Sequence, residues 1–176
     1  MRAALAFLLL AACGTPQQPL SDWERQHQRT LEITEPTPAL PRPPRPQTLL
    51  EFQVGPRGGT RFFIDAETLE PGKDGVVRYV LVARSTTGAD NISFEGLRCS
   101  TAESRRYAIG RADGSWGGRP GAWGPAQPWQ RVLGRDYFCP QGTPIHDRAE
   151  GVRALREGGH PFARGFSGDR FRDGRQ

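Results

Sequence analysis

Downstream of residue 12, the most apolar run in the chain is Val76-Val77-Arg78-Tyr79-Val80-Leu81-Val82-Ala83. Apolar residues at successive rather than alternate positions mark a strand covered on both faces, and the run is shorter than the roughly 10–12 residues of a buried helix. It therefore predicts a central strand, around which the rest of the chain has to be arranged. Leu50, Phe52 and Val54 alternate with polar neighbours, and residues 61–66 put Phe62 and Ile64 on one face. A turn through Pro71-Gly72-Lys73-Asp74-Gly75 leads into the central run, and Thr87-Gly88-Ala89-Asp90 is the tip of a hairpin returning over residues 91–99. Residues 104–111 supply a further strand. Short turns between neighbouring strands imply antiparallel pairing.

Helical signals are confined to the second half. Residues 112–128 are rich in Gly and Pro and read as a loop. A short helix is predicted over 128–133, turning Trp129, Val132 and Leu133 inward. A second is predicted to start at Thr143-Pro144, to carry Ile145, Ala149 and Val152 on one stripe, and to stop at Gly158-Gly159. The fold class expected is α+β: an antiparallel sheet of about five strands with flanking short helices and one disulfide.

The amino terminus carries a different kind of information. Arg2 precedes an uncharged apolar stretch over residues 3–12, and Leu10-Ala11-Ala12-Cys13 follows the pattern of a bacterial lipobox. Ten apolar residues are too few to span a bilayer, which takes roughly 20, but suit a signal peptide. Residues 1–12 are thus expected to be removed and Cys13 to be lipid-modified, attaching the chain to a membrane. Gly14, where Asp would favour inner-membrane retention, points to the outer membrane, facing the periplasm. Residues 13–47 read as a Pro-rich tether. In it Pro41-Arg42-Pro43-Pro44-Arg45-Pro46 favours an extended polyproline conformation, and Ser21-Asp22-Trp23-Glu24 could start a short helix. Residues 48–158 would be the globular domain, and the Arg-, Phe- and Gly-rich tail over 159–176 is predicted to be disordered.

With Cys13 assigned to lipid, Cys99 and Cys139 remain as an even pair, and in an exported chain they are expected to form a disulfide. The formal charge of +5 comes from 24 basic against 19 acidic residues. In that compartment nucleic acid is excluded as a partner. Anionic lipid, lipopolysaccharide or acidic cell-wall polymers are the available ones, and solvated arginines without a partner are the plainer alternative.

Three blocks, Asp74-Gly75-Val76-Val77-Arg78-Tyr79, Phe94-Glu95-Gly96-Leu97-Arg98-Cys99 and Asp136-Tyr137-Phe138-Cys139-Pro140, together resemble the CNP-like family of bacterial envelope proteins. The resemblance runs from about residue 48 to 145. It implies a lipoprotein of the cell envelope and a domain, but no reaction, cofactor or catalytic residue.

Candidate site residues follow from the same stretches. Arg78 interrupts the apolar strand, and Glu95 lies on the next one, so an ion pair joined by Arg98 is expected near the core, with a polar ligand cleft as the alternative. Trp116, Trp123 and Trp129 fall within fourteen residues and could form an aromatic contact for a glycan, or could cover the sheet and the disulfide. Phe162, Phe166 and Phe171 alternate with Arg164, Arg170 and Arg172 in the tail, a pattern suited to docking on an anionic membrane. Asp65 and Glu67 share a strand face and read as a solvated edge. His146-Asp147 near Cys139 suggests a thiol–imidazole pair only if Cys139 is not in a disulfide. No Gly-x-Ser-x-Gly elbow, Walker loop or His-Glu-x-x-His occurs; no catalytic residue, metal or cofactor is expected. These features add up to a lipid-anchored envelope accessory protein that binds a partner protein or cell-wall component. A hydrolase of an envelope polymer and a structural subunit of an envelope complex are the alternatives.

Overall fold

The computed structural model describes residues 37–55 and 59–164. The signal segment, Cys13, the helix predicted near Trp23, the side chain of Arg164 and the tail positions Phe166, Arg170, Phe171 and Arg172 lie outside the described residues. One antiparallel sheet organises what is described. Its strands are β1 (Leu49–Phe52), β2 (Arg61–Asp65), β3 (Glu70–Pro71), β4 (Val76–Arg84), β5 (Asp90–Arg98), β6 (Glu103–Gly110), β7 (Trp116–Gly117) and β8 (Gly124–Pro125). The path runs β1-β2-β4-β5-β6-β7, with β3 beside β4 and β8 beside β6. All five predicted strands are present. The count of eight instead of about five comes from three two-residue strands, which carry no periodicity to read.

The apolar run is the third strand of that path, and residues 76 to 82 are all buried, Arg78 among them. Its alternate side chains serve two separate clusters. Val77, Tyr79 and Leu81 face inward with Ile64, Leu97 and Phe52, against Leu133, Phe138, Ile145 and Leu155 from the helical half. Val80 faces outward with Phe94, Tyr107 and Ala108, flanked by Ile92 and Trp116. A bulge between β5 and β6, where Phe94 pairs with Ala108 but Glu95 with Arg106, leaves Tyr107 as the extra residue. Its ring lies over Gly96, where a Cβ would come within 2.5 Å of the Tyr107 hydroxyl.

Helix α1 (Pro128–Leu133) occupies the predicted span. It runs into a single π turn, Gly134–Phe138, closed by the Cys139 N–H donating to the Gly134 carbonyl. Helix α2 (Arg148–Arg156) begins later than Thr143. The Ile145 N–H is taken by the Phe138 carbonyl, which holds that stretch out of a helix, and the Asp147 carboxylate caps the new start by accepting from the Glu150 N–H at 2.8 Å. Its buried stripe is Gly151, Ala154 and Leu155, so Ile145 packs on the helix from outside it. Positive φ at Gly158 and Gly159 ends α2 as expected. The tail is ordered further than predicted: one more turn, α3 (Pro161–Arg164), follows a buried His160.

Cys99, at the end of β5, is bonded to Cys139 after the π turn, with Cα atoms 5.3 Å apart. The sheet and the helical half are thereby clasped together. Among the described residues no helix is long and apolar enough to cross a membrane.

Candidate functional site on the outer face of the sheet

The expected ion pair between Arg78 and Glu95 does not form, and register is the reason. Arg78 stands opposite Gly96, whereas Glu95 stands opposite Tyr79. Side chains directly across share a face and neighbours along a strand do not, so the two charges leave opposite faces of the sheet. Arg78 turns outward and grips Asp74, four residues earlier, at 2.5 and 3.1 Å, while its guanidinium lies 5.9 Å from the Tyr107 ring. Burial pushes the Asp74 carboxyl up, but the Arg78 hydrogen bonds and the Val76 N–H outweigh it and hold the group below its usual range. Arg98 takes no part. It meets Glu103 at 3.1 Å and stacks 4.1 Å over Trp123.

Glu95 is sealed under α1 at 5% exposure. It accepts from the Ser93 hydroxyl at 2.6 Å, the Gln130 amide at 2.8 Å and the Tyr79 hydroxyl at 3.4 Å. Gln130 is engaged on its other side as well, its carbonyl accepting from Ser104 and from the Gln127 N–H. Burial raises the Glu95 carboxyl above its ordinary range, an effect those donors reduce. The network fastens α1 to the sheet. His160 is also committed internally: one ring nitrogen accepts from the Phe162 N–H, and the other lies 2.8 Å from Glu150.

The three tryptophans are not brought together. Trp129 stacks on Phe62 with the inward cluster, at 5.2 Å and 17°. Trp116 packs near Phe94 on the outward side, and Trp123 lies under Arg98. A single platform of three rings is therefore ruled out.

What the outer face does gather is a set of residues the sequence left apart. Residues 38–46, assigned above to the tether, are docked on the domain. The Trp116 indole N–H donates to the Pro41 carbonyl at 2.6 Å. Arg42 reaches Asp65 at 3.3 Å and Glu67 at 2.5 Å, and Arg45 reaches Glu67 at 2.7 Å. Far from being a solvated edge position, Asp65 is fully buried. Asp65 also accepts from the Glu67 N–H at 3.2 Å. Partial desolvation pushes the Glu67 carboxyl up, but hydrogen bonds from the two arginines prevail and lower it. A signal was present in the pairing of Arg42-x-x-Arg45 with Asp65-x-Glu67, but nothing local in the chain shows that the two segments meet.

Elsewhere, a cleft of about 620 Å³ lies where β1 and β2 approach the β4–β5 hairpin, bordered by Phe52, Phe62, Arg61 and Arg84. Both arginines flank the Phe63 ring at 5.0 and 5.1 Å and are held by Glu51 and Asp90. Among the described residues no group of three His, Cys, Asp or Glu side chains is placed to hold a metal ion.

The family blocks converge in space: the first two are neighbours in the β4–β5 ladder, and the disulfide joins the second to the third. Residues 28–156 match the model of the CNP1-like family, so the matched region takes in the docked segment as well as the sheet. No curated protein and no solved structure matches the chain.

Proposed function

The chain belongs to the CNP1-like family, and on that premise we propose that it is a lipid-anchored accessory protein of the bacterial cell envelope, acting by binding rather than catalysis. Cys13 is the anchor, and the outer membrane facing the periplasm is its place. Its partner is an envelope protein or a cell-wall component. The observation that carries the binding role is the commitment of the buried ionisable groups to partners within the fold. Among the described residues, Arg78 is held with Asp74, Asp65 with Arg42, His160 with Glu150, and Glu95 with three neutral donors. General acid–base chemistry asks for such groups to converge on a reacting atom, and these instead brace the fold. A disulfide-clasped sheet is suited to presenting a rigid surface, and a bridge of this kind suits an oxidising compartment.

Crosslinking in the native envelope, followed by mass spectrometry of the crosslinked material, tests the role. A reproducible partner protein or glycan is the expected result. Release of fragments from an envelope polymer by the purified full chain would instead make it a hydrolase.

A further inference from the structure

We propose that the outer face between Trp116 and the Asp65–Glu67 corner is a recognition groove for an extended segment bearing proline and arginine. The chain's own residues 38–46 fill it here, and a segment of the same chemistry from a partner protein can take their place. This rests on the binding role proposed above and adds the location and the chemistry of the partner.

Three observations carry it. The first is the nature of the contacts. An aromatic N–H donates to the carbonyl of a proline, Pro41, and carboxylates receive the arginines that punctuate the segment. Extended Pro-rich segments are recognised by other domains in this manner, because φ is already fixed by the proline rings and little entropy is lost on docking. The second is Asp65. A carboxylate at 0% exposure takes a guanidinium from the segment ahead of β1 as its ion-pair partner, so the site favours an arginine in that segment. The third is the exposure of the occupant's outer edge. Leu40 is 57% exposed, and Arg45 and Glu67 are 58% and 47% exposed; pairs in such surroundings contribute little. A single 3-10 turn, Pro46–Thr48, links the segment to β1. The segment's charge complementarity to the groove makes it the template for the partner segment.

The test uses the full chain with Arg42→Ala and Arg45→Ala, which loosens the internal occupant. The probe is a synthetic peptide of residues 37–47, alongside the same peptide with both arginines replaced by alanine. Binding is followed by the indole N–H resonance of Trp116. The arginine peptide is expected to shift that resonance and to bind the double variant about tenfold or more tighter than wild type, where the linked segment competes at millimolar effective concentration. The alanine peptide should bind at least about tenfold more weakly, and Asp65→Asn should abolish the difference between the peptides. Failure of the arginine peptide to bind the double variant overturns the proposal. So does self-association of that variant that the peptide cannot compete away, since the occupant would then be a second copy. Trp116→Phe in the otherwise natural chain is a further check that does not remove a charge. It should speed proteolytic cleavage within residues 38–46, and unchanged cleavage would mean that the contact is ordinary packing. Purified protein suffices throughout, so failure of the lipid anchor would leave these results unchanged.

Discussion

Arg78 sits in the middle of the most apolar strand because Asp74 folds back from the preceding turn to meet it. Removing one partner of a buried pair strands the other, so Arg78→Ala is predicted to lower unfolding free energy by about 3–5 kcal/mol. The pH dependence has a definite sign. Asp74 has a lowered folded-state value, so its contribution is complete above the unfolded value near 3.9 and is lost as pH falls through the folded one. The gap between wild type and Arg78→Ala should therefore narrow below about pH 4 in denaturation curves. Glu95 behaves in the opposite sense. Its raised value makes ionisation unfavourable in the folded state, so it detracts from stability as pH climbs above about 4.3. Glu95→Gln should flatten that decline above about pH 4.3 when unfolding is measured across the same series. That both residues are special was legible from their setting in strands. Their partners were not, because a shift of one residue in register moves a side chain to the other face.

Among elements, the long strands could be read from alternation and from the apolar run, and α1 from its Pro and inward stripe. The start of α2 could not. Thr143-Pro144 has the composition of a helix start, but the Ile145 N–H is spent on Phe138, a contact made by tertiary packing, and Asp147 supplies the cap. Asp147→Ala should cost about 1 kcal/mol of stability, measurable by urea titration. Gly151 allows α2 its close seat, since a Cβ there would fall within 2.6 Å of both Ile145 and Leu69. The clasp between β5 and the π turn spans 40 residues of chain. Reduction should destabilise the domain by about 4 kcal/mol in the chain-entropy picture. Unfolding curves with and without reductant would show it, and coincident curves would count against the bridge as a source of stability.

For the whole molecule, the domain begins before residue 48, because residues 38–46 belong to its outer face rather than to a free tether. Proline content alone reads as a linker. The meeting of Arg42 and Arg45 with Asp65 and Glu67, and of Trp116 with Pro41, reveals a docked segment, and all those partners are separated by more than twenty residues. The proposed compartment, in contrast, rests on a short local motif. If the lipobox is used, Cys13→Ala should move the protein from the detergent-extracted membrane fraction to the soluble one. Intact mass spectrometry of protein purified from its native membrane addresses the account most directly. A processed chain starting at Cys13 and heavier by its acyl groups is the predicted result. An unmodified chain that still begins at Met1 would contradict anchor, compartment and proposed role alike.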